Sequence, residues 1–251
     1  AVEGLSDMIP NIPTIPIVIV ILSGLFIFQR FGTQKVGSIF GPAMFIWFSM
    51  LLVLGVSQII HHPGIIKALN PMYGYELLTQ YPKGFWLLGA VFLCTTGAEA
   101  LYSDLGHCGR KNIQVSWMFV KVALVMNYMG QGAWLIQHIG EPMDGLNPFY
   151  AIMPHWFLIV GIGVATVAAI IASQALISGS FTLINEAISL NFWPRVTVKF
   201  PTDQKGQIYI PSLNFILWAG CVTMCLFFRK SEHMEAAYGF SIIITMIMTT
   251  I

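Results

Sequence analysis

The chain has 251 residues, of which 56% are apolar and 9% charged, with a net charge of +1 and a mean hydropathy of +0.75. A soluble domain carries about 25% charged residues, so this composition excludes one and points to an integral membrane protein. No basic tract can neutralise a run of phosphates, which removes nucleic acid from the expected partners.

Uncharged runs long enough to cross a bilayer follow one another along the chain: 8–29, 36–60, 84–103 interrupted by Glu99, 112–137 interrupted by Lys121, 156–185 and 206–228. A seventh, 236–251, is truncated, with sixteen residues where about twenty are needed. In hydrocarbon every backbone polar group must bond internally, and the runs do not alternate as barrel strands do. The expected fold is therefore all-α, a polytopic helical bundle in a single transmembrane domain. One alternating set of loops holds Arg30, Lys35, Arg110, Lys111, Arg195, Lys199 and Lys205, the other Lys67, Lys83, Arg229 and Lys230. The richer set is assigned to the cytoplasm, so the Glu99 span runs inward. Between the second and third spans, Asn70–Leu78 is expected to form a short interfacial helix. The last residues stop inside an apolar segment, and the chain is expected to be an internal piece of a longer protein.

Glu99 is the residue that most needs an explanation. Fifteen uncharged residues precede it from Gly84, which places it roughly 22 Å into a helix at about 1.5 Å per residue. A carboxylate at that depth costs a few kcal/mol or more unless it is paired, protonated or facing water. Thr95, Glu99 and Tyr102 share a helical face, and Thr96 lies three residues before Glu99. Gly97 weakens the helix inside this polar cluster. A broken helix exposes carbonyls and hydroxyls, oxygen ligands suited to a hard cation of low charge, and such breaks mark midplane sites in secondary transporters. Burial in low dielectric disfavours the charged form of a carboxyl, so Glu99 is expected to exchange a proton during transport. The plainer reading has the threonines bonding to their own helix and Gly97 serving close packing.

Lys121 can snorkel to the interface or pair with Asp104 or Glu99. Asn127 and Gln131, one turn apart, either face a polar pathway or bond between helices. Small residues at Gly161, Ala165, Ala168, Ala172, Ala175 and Gly179 form a stripe for close helix approach, with Gln174 and Ser178 beside it. In the last span Tyr238, Ser241 and Thr245 share a face, a second wall for a cation. Cys94, Cys108, Cys221 and Cys225 form no CxxC pair, and the six histidines offer no ligand-spaced cluster, so neither metal nor redox chemistry is expected. A membrane enzyme would need paired acids or a nucleophile with its base inside the spans, and none is present in the sequence.

The segment Thr96-Gly97-Ala98-Glu99-Ala100-Leu101-Tyr102-Ser103-Asp104-Leu105-Gly106-His107 resembles the KUP/HAK/KT family of potassium uptake permeases. Further stretches agree in order, among them Gln29-Arg30-Phe31-Gly32-Thr33, Asn127-Tyr128-Met129-Gly130-Gln131-Gly132-Ala133, Ser173-Gln174-Ala175-Leu176-Ile177-Ser178-Gly179 and Ala236-Ala237-Tyr238-Gly239. The resemblance implies potassium:proton symport across the bacterial inner membrane, in the inverted-repeat, LeuT-like fold of the amino acid–polyamine–cation superfamily. This chain would hold spans four to ten, without the N-terminal spans and the C-terminal cytoplasmic domain. Thr96 and Tyr238 would then coordinate potassium. Glu99 would belong to the acidic set, with Thr95, Tyr102, Asp104, Asn127 and Gln131 as further ion-binding or coupling candidates. The implied partners are potassium ion, proton and membrane lipid, with a homodimer as a candidate assembly. No cofactor is expected beyond the transported ions. The alternative is an amino acid or polyamine permease of the same fold, which would want aromatic walls and a larger cavity than small hydroxyls beside Glu99 provide.

Overall fold

A computed structural model of the chain describes residues 13–31, 34–82, 84–94, 109–141, 147–201, 208–229 and 231–250. The described residues are helical apart from loops and one isolated antiparallel bridge, Lys199 with Tyr209.

Helix α1 (Thr14–Phe28) follows Pro13 and carries Pro16 in its first turn, where a missing N–H costs no intrahelical bond. It tightens into a 3-10 turn at Gln29–Phe31. Helix α2 (Gln34–His61) stays continuous through Pro42, whose absent N–H leaves the carbonyl four residues earlier without its usual partner. A second 3-10 turn, Pro63–Leu69, leads to α3 (Pro71–Gln80). The Asn70 side chain caps α3, accepting from the Met72 N–H at 3.0 Å, and the helix buries no residue. This is the segment expected as an interfacial helix, and its Tyr73 and Tyr75 are exposed. Helix α4 is Gly84–Cys94.

Helix α5 (Arg110–Gln137) starts after Gly109, whose φ of 76° suits glycine. A short turn of helix, α6 (Pro148–Ala151), precedes the longest element, α7 (His155–Ser189). Helices α8 (Pro211–Phe228) and α9 (Ser231–Thr250) complete the order, separated by Arg229 in the left-handed region at φ 59°.

Helices thus lie on part or all of each uncharged run, the third being described only to Cys94. By length and composition Ile39–His61, His155–Ser189 and Pro211–Phe228 can cross a membrane, and Thr14–Phe28 and His233–Met248 are shorter apolar helices. Helix α5 is long enough but is not among them, and Lys121, Asn127 and Gln131 in its middle are part of the reason. Large apolar side chains point outward throughout, Val53, Val115, Phe215 and Phe227 among them. A water-soluble protein would not expose them in such number. A bilayer accepts them.

Two apolar cores are built on opposite halves of α7. Leu158 and Ile162, near its start, pack with Met50 and Leu54 of α2 and with Tyr150, Ile152 and Met153. Ile177 and Phe181, in its second half, pack with Leu25 and Phe26 of α1 and with Ile210 at the start of α8. The expected small-residue stripe is buried at Gly161, Ala165 and Ala168, but Ala172 and Ala175 are exposed and Gln174, Ile177 and Phe181 take the buried face instead. The face changes because the partner changes, from α2 to the α1–α8 pair.

Candidate functional site

Helix α4 leads into the polar cluster. Its Gly84 is held against α3: an added Cβ would collide with the Leu77 carbonyl, and the Gly84 N–H donates to the Tyr81 carbonyl at 2.9 Å. Near its other end, Leu93 packs on Gly239 of α9, where a Cβ would come within 3.1 Å of Leu93 Cδ2. Thr95, Thr96, Glu99, Tyr102 and Asp104 lie beyond, outside the described residues.

Tyr238 therefore stands one position from the contact between α9 and the helix that precedes the cluster, and the residue is 54% exposed. On the same helix Ser241 donates to the Ala237 carbonyl and Thr245 to the Ser241 carbonyl, each at 3.0 Å. Both hydroxyl protons are thus committed to the backbone, while their lone pairs remain able to accept or to coordinate a cation.

Asn127 lies in the seam between α5 and α2. The residues α5 buries are Ala123, Asn127, Gly130 and Ala133, all but Asn127 small. Across the seam, a Cβ on Gly55 would overlap the Met126 carbonyl, and one on Gly130 would sit 2.5 Å from Gly55 Cα. Backbone meets backbone here. Asn127 is 4% exposed, and its buried Oδ1 accepts no hydrogen bond. Gln131, one turn on, is half-buried. Lys121 is exposed, with its ammonium 5.7 Å from the Trp117 ring one turn earlier, a cation–π placement on its own helix.

The pairing of α1 with α8 was not visible from the sequence. Asn214 Nδ2 donates to the Phe26 carbonyl at 3.2 Å, and the Trp218 indole N–H donates to Ser23 Oγ at 3.1 Å. Asn214 Oδ1 and Gln29 Nε2 are buried without a hydrogen-bond partner. An asparagine and a tryptophan one turn apart near a helix start were the available signal, but only the partner helix gives it meaning. Among the described residues no three of His, Cys, Asp and Glu gather as metal ligands would. Cys94 is exposed and Cys221 and Cys225 are half-buried, all as free thiols.

The family model of the K+ potassium transporter integral membrane domain matches residues 1–251. The chain is 60% identical, over its whole length, to a probable potassium transport system protein Kup of Flavobacterium psychrophilum, and 61% identical to one of Cytophaga hutchinsonii. It is 53% identical over 94% of its length to a protein of the same name from Clostridium perfringens. It spans 39% of the first two relatives and 37% of the third. No solved structure is significantly similar to it.

Proposed function

The chain belongs to the K+ potassium transporter integral membrane domain family, and from that premise we propose that the protein containing it takes up potassium across the cytoplasmic membrane. The observation that carries this reading is the family match over all 251 residues, joined by relatives whose names specify potassium transport. Nothing in those names favours an amino acid or polyamine permease.

The finer proposal is potassium:proton symport in an inverted-repeat, LeuT-like arrangement. Potassium is substrate here. It sheds water most readily where several neutral oxygens replace its hydration shell without a strongly attracting charge. Thr96, beside the helix-weakening Gly97, and Tyr238, on the helix that packs against α4, supply such oxygens. Thr95 and Tyr102 add two more on the Glu99 face. Glu99 holds or releases the coupled proton, since an acid in a low-dielectric wall changes its charge state as water or an ion approaches. In the sequence Asp104 follows the Glu99 run, and α5 adds Asn127, buried against α2, and Gln131, half-buried. The packing of α9 on α4 at Gly239 and Leu93 supports grouping Tyr238 with the Thr96 segment.

Rubidium uptake by the full-length parent, at acidic and at neutral external pH, tests the coupling. The parent is expected to take up rubidium faster at acidic pH, with potassium competing, and Glu99→Gln to be slow and insensitive to pH. Uptake by Glu99→Gln with the parent's pH response would remove the proton role and leave potassium uptake standing.

A further inference from the structure

Helix α9 is apolar from Met234 to Met248 except at four positions, Glu235, Tyr238, Ser241 and Thr245. Their spacings of three, three and four residues keep them within about a third of the helix circumference, at about 100° per residue. All four are exposed, whereas Gly239 and Ile242 on the adjoining arc are buried. Gly239 meets Leu93 of α4. The polar stripe therefore runs along the edge of the α4–α9 contact.

The stripe presents oxygen throughout. Ser241 and Thr245 give their protons to their own helix, so their lone pairs face outward. Glu235 supplies the one carboxylate, and among the described residues nothing hydrogen-bonds or ion-pairs with it. Arg229, six residues earlier, lines the cleft among α1, α7 and α8 and donates from Nε to the Leu226 carbonyl at 3.4 Å. Arg229 and Lys230 belong to the loop set assigned to the outside, so α9 runs inward and Glu235 lies outermost of the four. Tyr238 follows about 4.5 Å deeper and Thr245 about 15 Å deeper, at about 1.5 Å per residue. A cation arriving from outside meets the carboxylate first, then the phenol, then the hydroxyls. The start of α9 also favours a carboxylate through the helix dipole, but that stabilising role would leave the uptake KM untouched.

We propose that Glu235 is the outer entry residue of the potassium path, its carboxylate drawing hydrated monovalent cations from the external solution to the oxygen stripe that leads to Tyr238. The proposal rests on potassium uptake and on Tyr238 as an ion ligand, and adds to them the place where the ion enters. A single carboxylate at an entrance raises the local cation concentration through its field, without stripping the ion's water. It therefore governs capture and not turnover. It is also screened by inert salt, whose Debye length is about 8 Å at physiological ionic strength. Because a field does not read ion size, potassium and rubidium are drawn in equally.

Rubidium uptake by the full-length parent in cells lacking other potassium uptake tests it, with osmolarity held by sucrose or by choline chloride. In sucrose, Glu235→Gln is expected to raise KM about threefold or more, as loss of a steering charge implies. Its maximal rate, per protein at the cell surface, should stay at the parent's, since the substitution removes no described contact. In choline chloride the two KM values should converge. Glu235→Asp, which keeps the charge, should hold the parent's KM, and Glu235→Lys should raise it further. An unchanged KM in Glu235→Gln, a shift that choline chloride leaves intact, or a glutamine-like KM in Glu235→Asp would each overturn the proposal while potassium uptake stands. A parent that moves no rubidium would overturn the potassium reading itself, and this proposal with it.

Discussion

The two helix pairs braced by α7 are joined in opposite ways. In the α2–α5 pair, Gly55 and Gly130 remove side chains altogether, so the backbones touch over a face of Ala123, Asn127 and Ala133. In the α1–α8 pair the glycines do no such work, since a Cβ at Gly24 or Gly220 would meet nothing within 4 Å. Side-chain hydrogen bonds from Asn214 and Trp218 clasp that pair instead. Lipid is as apolar as leucine, so helices in it gain little from apolar contact alone. They associate by close van der Waals approach or by polar bonds. This chain uses one device in each half. Backbone contact tolerates no added atom, whereas a hydrogen-bond clasp loses only the bond removed.

The contrast can be broken most sharply at Gly55. In the full-length parent, Gly55→Ala or Gly130→Ala should lower unfolding stability by about 1–3 kcal/mol, because the colliding atoms are backbone and cannot swing aside. A thermal melt in detergent unchanged by either would mean the seam is loose. A smaller effect is expected across the other pair. Asn214→Ala and Trp218→Phe should each cost about 0.6 kcal/mol, the usual worth of a hydrogen bond between membrane helices. Losses equal to those at Gly55 would erase the distinction. The smallest change is expected at Gly24→Ala, within about 0.5 kcal/mol of the parent and of either sign, since helix propensity gains while nothing is displaced. Paired denaturation curves of Gly24→Ala and Gly55→Ala would measure the contrast directly.

Much of the architecture could be read from charge spacing alone. Uncharged runs bounded by Arg30, Lys35, Lys111, Glu186 and Arg229 fall on helices because a helix is the one segment that satisfies its own backbone in oil. The short helix after Asn70 was expected at Asn70–Leu78, and its start falls on the Asn-Pro pair that caps and opens it. What periodicity could not supply was the identity of the neighbour. The small-residue stripe on α7 predicts one continuous face, but the helix meets α2 first and the α1–α8 pair later, so its buried side turns from Ala168 to Gln174 and Phe181. The same holds for Gly55, since a glycine in an apolar run signals close approach only once Gly130 is opposite it. Of the site, Tyr238, Asn127 and Gln131 can be located, on α9 and α5, while the Thr95–Asp104 cluster lies outside the described residues.

The length of α7 carries a consequence of its own. Residues 156–185 are uncharged and helical, a rod of roughly 45 Å at about 1.5 Å per residue. The oily slab available to it is only about 30 Å deep. A rod half again too long must lean, bend the lipid around it or bury its surplus in protein. If it leans, its two ends are carried apart sideways as well as in depth, and the helix pairs fastened to them are offset with it. A change in that lean would then move one pair against the other.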